Sequence, residues 1–399
     1  MSTSSEPRPT PDGANPPPRL VAVAVTWNRP DDIRRLVASL EALESAPPLT
    51  LIVVDNASDA PVSGLKPFEE HIANASLDPA APQFAPAPEL DSPARQATAT
   101  NQRIERLLIV RNRDNLGGCG GFLTGYHVAN QLLAKTDHAF LWLLDDDATP
   151  TPPSLRHMLN AMSADPRLGA VGARMADPAD PDHILEGPVY FDRETGIFQP
   201  APREGTPHHA AFTAWRARVD AKDPSAETSG LIPCDIMAAC SLLCRWSAVR
   251  KAGFWDPRYF LAADDAEWCI RLAANGYGVA CCLDAVVLHE PWHRKRTPER
   301  EYYRRRNMLW LWERHLPRET FVRLTKARRR QMFRISLRAM RRKNFKNAEI
   351  FRSTIQNAAT SVGGRLHIHP PPPPLRRPRM LARWLRTYLA SRRWLKTKS

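Results

Sequence analysis

"FLWLLDDDATP", residues 140–150, is the stretch on which the fold of this chain turns. An apolar run from Phe140 to Leu144 has the length and composition of a buried strand, and it stops at three consecutive carboxylates, Asp145, Asp146 and Asp147. In an extended segment alternate side chains share a face, so Asp145 and Asp147 point one way and Asp146 the other. Like charges packed this closely need a positive partner. Two carboxylates on one face at a strand's end can hold a hard divalent cation. Beside a diphosphate, such a cation neutralises a leaving group rather than generating hydroxide. A turn capped by Asp before "TPTPP" is the plainer alternative. Three in a row, directly after a buried strand, favour the cation.

Upstream, "LVAVAVT" (20–26), "LTLIVVD" (49–55) and "RLLIVRN" (106–112) are further buried-strand runs. After the first comes "RPDDIRRLVASLEAL", with Pro30 suited to a first helical turn, acidic Asp31 and Asp32 matching the dipole, and Ile33, Leu36, Val37 and Leu40 on one face. After the third comes "NLGGCGGFLTGYHVANQLL", a Gly-rich turn entering a helix. Strands alternating with helices predict a parallel α/β sheet covered on its faces. Ligands bind beyond the carboxyl ends of such strands, where Asp55, the glycines and the Asp triplet all fall. The run Gly117, Gly118, Gly120, Gly121 matches neither a dinucleotide fingerprint nor a P-loop. It serves either a tight turn or a backbone lying close against a ligand.

A second acidic cluster, Asp264, Asp265 and Glu267, sits in "FLAADDAEWCIRLAANG" at the start of a helix running to about Asn275, with Gly276 as its stop signal. These are ordinary first-turn residues. Facing the ligand edge of the sheet, one of them can also act as a general base. Then "CCLDAVVLHEPWH" gives a strand ending at His289. The string H-E-x-x-H signals a zinc protease only on a helix. Here Pro291 stands inside the would-be helix, at a cost of about 3 kcal/mol. A strand-end His289 completing the carboxylate metal site fits better.

Six of these stretches in order, "VTWNRPDD", "LIVVDNASD", "NLGGCGGF", "LWLLDDDATP", "FLAADDAEW" and "CLDAVVLH", resemble the family 2 inverting glycosyltransferases over roughly residues 20–310. Within that family they look most like the bacterial galactofuranosyltransferases. The resemblance implies a GT-A, Rossmann-like mixed sheet that binds a nucleotide-sugar. It implies that Arg29 and Asp55 contact the uracil of a UDP-sugar, and that Asn115, with Gly117, Gly118 and Asp146 around it, contacts the donor. Asp145, Asp147 and His289 would hold Mn²⁺ or Mg²⁺. Asp265 would be the base that deprotonates the acceptor hydroxyl, with Asp264 and Glu267 positioning the acceptor glycan. A donor such as deoxythymidine-linked rhamnose is the nearest alternative. A non-catalytic basic adaptor on the same fold is the alternative from another class, and the intact acidic clusters speak against it.

The chain has 399 residues, 43% of them hydrophobic, enough for one catalytic domain and an appendage. We expect a Pro-rich disordered N-terminus (1–18), a catalytic domain (19–300) with a loose Ala- and Pro-rich insertion at 60–102, a basic helical domain (301–369), and a proline linker with a basic amphipathic helix (370–399). Seven cysteines without a C-x-x-C pair read as reduced and buried. The first thirty residues hold no signal-peptide core, and no run reaches the roughly 18 apolar residues of a membrane span. A cytosolic protein is therefore expected. Charge is polarised. Residues 291–399 carry 31 Lys and Arg against 5 Asp and Glu, a net +26, while the rest of the chain carries −12. After "PPPPP", Leu381, Trp384, Leu385, Tyr388, Leu389 and Leu395 recur at helical spacing among arginines. That is the composition of an interfacial helix on the anionic inner face of a plasma membrane, which would suit a lipid-linked acceptor, and a solvated helix docking on the body is the alternative. No recognised nucleic-acid module is present.

Overall fold

The computed structural model describes residues 18–87, 102–134, 136–221, 223, 229–290, 297–367 and 376–397. The expectations for most of 1–18, for 88–101, for His293 and for the proline linker lie outside the described residues. In chain order the elements are β1 (Arg19–Thr26), α1 (Pro30–Glu41), β2 (Leu49–Asp55), β3 (Glu70–Asn74), β4 (Phe84–Ala85), β5 (Ile104–Asn112), α2 (Gly117–Leu132), β6 (Ala139–Asp145), β7 (Thr149–Pro150), α3 (Ser154–Ala164), β8 (Leu168–Asp177), β9 (Asp180–Glu186), β10 (Tyr190–Asp192), β11 (Ile197–Gln199), α4 (His209–Asp220), β12 (Leu231–Cys234), β13 (Ser241–Arg245), α5 (Trp246–Ala252), α6 (Asp264–Ala274), β14 (Gly278–Leu288), α7 (Pro298–His315), α8 (Arg318–Arg341), α9 (Phe345–Ala359) and α10 (Arg376–Thr397).

The main sheet has the order β12-β14-β8-β13-β6-β1-β2-β5-β3-β4, with β7 on β14 and β9 on β8. Strands β6, β1, β2, β5 and β3 run parallel, as the continuous apolar runs predict. The other half is mixed: β13 is inserted antiparallel between β6 and β8. The sheet is thus the mixed α/β sheet expected of the fold class, not a wholly parallel one. The insertion expected to be loose at 60–102 is not loose throughout. Its residues 70–74 pair in parallel with β5 and carry β4 at the sheet's edge.

The sheet separates two cores. One packs α1 and α3 against one face. The other packs α2, α5 and α6 against the opposite face and continues without a break into α7, α8 and α9. The basic appendage therefore shares the catalytic domain's core, with Tyr302, Arg306, Leu309 and Trp310 of α7 buried. The seven cysteines are free and buried.

Helix α10 is docked on this body. Met380, Trp384, Trp394 and Leu395 are buried, Arg383 reaches Glu349 at 3.1 Å, and Trp394 Nε1 donates to Glu313 at 2.7 Å. So Trp384 and Leu395, expected on a membrane-facing stripe, face inward. Leu381, Leu385, Tyr388 and Leu389 remain exposed. No described helix is long and apolar enough to cross a membrane.

Candidate active site

The Asp triplet ends β6 and turns into β7, and β7 pairs with the last residues of β14. That pairing brings His289, the residue after β14, beside the triplet. Alternation holds as the strand geometry requires. Asp146 accepts from Thr26 Oγ1 at 2.8 Å on one side. On the other, His289 Nε2 lies 3.0 Å from Asp147 Oδ1 and 3.6 Å from Asp145 Oδ2. One ligand atom from each of Asp145, Asp147 and His289 falls within 4.8 Å of the others. The second positive partner is Arg29, between β1 and α1, whose Nη1 is 2.6 Å from Asp147 and 3.5 Å from Asp146.

The local electrostatics follow from this packing. Burial opposes the charged form of His289, but Asp145 and Asp147 outweigh it and push the imidazole up to about 10. Burial pushes the Asp146 carboxyl up to about 7, against the Thr26 hydrogen bond and the Arg29 charge. Two carboxylates and an imidazole suit Mn²⁺ or Mg²⁺. The observation that tests the fit is at His289: its Nε2 faces two carboxylates while its buried Nδ1 has no hydrogen-bond partner among the described residues. A divalent ion on Nε2 would replace those two ion pairs with ligand bonds, so the residues fit the group.

The second cluster opens α6. The helix is preceded by Ala262 at φ 70° and Ala263 at φ 61°. Each non-glycine residue in this left-handed region costs about 1–2 kcal/mol, so the direction in which the helix starts is held by its surroundings. Asp264 is buried and Asp265 is half-buried. Burial pushes both carboxyls above the ordinary range. For Asp264 the charge of Asp265 adds to the shift. For Asp265 the amides of Ala266 and Ala239 work against it. Two adjacent residues join the clusters: Ala239 N donates to Asp265 at 3.3 Å, and Cys240 O accepts from Asp145 N at 3.4 Å. Metal cluster and candidate base thus belong to one site at the C-terminal edge of the sheet.

Glu186, at the end of β9, belongs to the same site and carried no motif. Burial, then the charges of Asp265 and Asp145, push its carboxyl up to about 7, against the pull of His289. The signal for it would have been an acidic residue closing a strand that lies beside β8.

Other sequence candidates are already engaged within the protein. Asp55 is buried and accepts from Ser58 N at 2.8 Å, from Val62 N at 3.2 Å and from Arg111. Asn115 accepts from Gly117 N at 2.8 Å. Glu267 is buried and held below the usual carboxylate range. Burial opposes this, and His315, Arg271 and Arg314 overcome it. The glycines meet the protein's own atoms. A Cβ on Gly117, itself at φ +75°, would lie 2.0 Å from Phe260 O, and one on Gly121 would lie 2.3 Å from Val25. Gly118 alone of the two glycine candidates has room, with Leu261 3.7 Å away. Beside Arg29 a cavity of about 500 Å³ opens between Asn28, Pro30, Ser58, Asp59 and Pro61, at the carboxyl ends of β1 and β2.

The chain is 28% identical over 309 residues to galactofuranosyltransferase GlfT2 of Mycolicibacterium smegmatis and 25% identical over 300 residues to galactofuranosyltransferase GlfT2 of Mycobacterium tuberculosis. Those matches take in 72% and 70% of this chain but only 39% of each relative, so the chain spans about two-fifths of their length. Among solved structures, GalNAc-T7 with UDP, GalNAc and Mn²⁺ superposes at a TM-score of 0.44 and 13% identity, over 74% of this chain and 48% of that one. S. aureus TarS 1-349 gives 0.44 and 12%, over 95% and 90%. Neither superposition carries weight here. Residues 17–334 match the glycosyltransferase-like family 2, and the chain belongs to that family.

Proposed function

We propose that this glycosyltransferase moves galactofuranose from UDP-galactofuranose to a hydroxyl of a lipid-linked glycan acceptor, with inversion, at the anionic inner face of the plasma membrane. The observation that carries the chemistry is the junction at Ala239 and Cys240, which sets the Asp145, Asp147 and His289 cluster beside Asp265. A bound Mn²⁺ or Mg²⁺ would offset the negative charge of the donor's diphosphate. Arg29 pairs with Asp147 and Asp146 and lines the cavity where the nucleoside would sit. Asp265 takes the proton from the acceptor hydroxyl as its oxygen attacks the anomeric carbon. The bond from that carbon to the diphosphate oxygen breaks, and UDP leaves with the electron pair. The sugar is named from the two relatives, both called galactofuranosyltransferases. A screen of nucleoside diphosphate release across sugar nucleotides tests it. UDP-galactofuranose should give the highest rate, and a faster deoxythymidine-linked rhamnose would overturn the choice of sugar while leaving the transferase intact.

The membrane part of the proposal rests on α10. Its outer face shows Leu381, Leu385, Tyr388 and Leu389 among exposed Arg379, Arg386, Arg392 and Arg393. Apolar side chains with basic neighbours match an anionic headgroup layer. Each Lys or Arg near such a surface contributes about 1 kcal/mol, screened over roughly 10 Å at 0.1 M salt. Because Trp384 and Trp394 are part of the core, the test uses the outer face rather than deletion of the helix. Leu385→Glu with Leu389→Glu should reduce co-sedimentation with anionic liposomes at least tenfold and leave transfer to a short soluble acceptor unchanged. The unmutated protein should lose its binding in high salt. Equal sedimentation of both proteins would remove the membrane from the proposal.

A further inference from the structure

The left-handed pair Ala262 and Ala263 aims α6, and with it Asp265, yet neither residue is glycine. What holds them comes from α7. The side-chain amide of Asn307, fully buried, donates to Leu261 O at 2.9 Å and to Ala262 O at 2.7 Å. Both its N–H groups are thus used on the two carbonyls that lead into the turn. Its Oδ1 accepts from Arg306 Nε at 3.0 Å. That bond fixes which way the amide points, since the flipped group would set oxygen against two carbonyls and nitrogen against a guanidinium. Arg306 is itself buried and tied to Gly364 O at 3.0 Å and Arg258 O at 3.3 Å. From the other side, Cys119 N donates to Phe260 O at 3.3 Å, and the Phe260 ring stacks on Tyr303 at 4.9 Å. Two turns further along α7, Arg314 and His315 reach Glu267 of α6 at 2.8 and 2.9 Å.

We propose that Asn307 is a positioning residue for the base: by holding the carbonyls of Leu261 and Ala262 it keeps Ala262 and Ala263 left-handed and points Asp265 at the acceptor. The proposal rests on Asp265 being the base. It gives the basic appendage a part in catalysis that does not depend on the membrane. It also gives Glu267 the task of anchoring the first turn of α6 rather than meeting the acceptor.

Misplacement of a catalytic group by about 1 Å can cost roughly 100-fold in rate. Asn307→Leu keeps the volume and removes both donors. It should lower kcat for transfer about 100-fold with the dissociation constant of the UDP-sugar changed less than twofold. Asn307→Asp retains the partner of Arg306, so it keeps the buried guanidinium satisfied while losing the donors, and it should show the same split. Glycine takes the left-handed region freely, so Ala262→Gly with Ala263→Gly in the Asn307→Leu background should restore kcat at least tenfold. Hydrogen exchange across residues 258–266 should be faster in both Asn307 variants, and this measurement needs no substrate. An unmutated protein that transfers no sugar would overturn the functional reading, and exchange would still judge the contact. Unchanged kcat, donor binding that falls in step with kcat, unchanged exchange, or no recovery with the two glycines would each overturn the role given to Asn307.

Discussion

Asp265→Asn should lower transfer by about 10²–10⁴-fold, the range typical of losing a general base, and leave donor binding within twofold. The amide keeps the shape of the carboxylate, and its one oxygen can accept from Ala266 N or from Ala239 N, so one of the two bonds at the start of α6 is kept. What it cannot do is take a proton. The pH profile separates this from a structural effect. Burial raises the Asp265 carboxyl above the ordinary value, helped by the charge of Asp145 and opposed by the amides of Ala266 and Ala239. The base must be unprotonated, so the unmutated enzyme should lose activity as pH falls, on a limb lying above the ordinary carboxylate value of about 3.9. In Asp265→Asn that limb should disappear. Stability moves the opposite way. A raised folded-state value means that the native protein binds the proton more tightly than the unfolded chain. The benefit is full below the unfolded value and is lost as pH rises to the folded one. Above that range the buried charge is a cost that asparagine does not carry, so Asp265→Asn should melt higher than the unmutated protein at pH 8. Calorimetric donor binding alongside transfer rates decides the assignment. If UDP-sugar binding vanishes together with transfer, Asp265 holds the donor or the fold and is not the base.

The parallel half of the sheet could be read from the sequence because β1, β2, β5 and β6 are buried on both faces and so appear as unbroken apolar runs. The edges could not. Strand β3, "EHIAN", has only Ile72 and Ala73 as apolar residues and shows no alternation of polarity inside an Ala- and Pro-rich stretch, and its place depends on pairing with β5. The antiparallel insertion of β13 between β6 and β8 depends on long-range pairing in the same way.

The meeting of Asp145, Asp147 and His289 was legible because strand ends gather side chains at one edge of an α/β sheet. Arg29, expected against the uracil, has its guanidinium on Asp147 and Asp146, because β1 and β6 are parallel neighbours whose carboxyl ends lie together. Glycine is ambiguous by nature. A missing Cβ makes room for a ligand or for the protein itself, and Gly117 and Gly121 make room for Phe260 and Val25. Helical spacing in the tail is ambiguous too, since α10 carries two apolar stripes. Periodicity cannot say that Trp384 and Trp394 face the body while Leu385 and Leu389 face out; the aromatic contacts of Trp384 with Phe333 and of Trp394 with Phe321 decide it.

Removing Asp147 should cost about 10³-fold in activity or more, or roughly 4 kcal/mol at 1.36 kcal/mol per tenfold, within the several kcal/mol a metal's charge stabilisation supplies. Asp147 touches two cations of the site: His289 at 3.0 Å through one oxygen and Arg29 at 2.6 Å through the other. Asp147→Ala therefore takes away one of three ligands and leaves two positive groups without their shared carboxylate. Asp147→Asn is the companion variant, because it keeps the volume and loses only the charge. A nearly equal fall in both variants would assign the effect to charge, whereas a fall in the alanine variant alone would assign it to packing. Binding of the ion is read separately from activity. A ligand that binds only the native state stabilises it by about 2.7 kcal/mol at a hundred times its dissociation constant. Mn²⁺ or Mg²⁺ should therefore raise the melting temperature of the unmutated protein and leave both variants where they were. Excess chelator should abolish transfer by the unmutated protein, and added Mn²⁺ should restore it. Full activity in chelator would show that Arg29 and a charged His289 balance the diphosphate unaided, and the ion would then have no place in the mechanism.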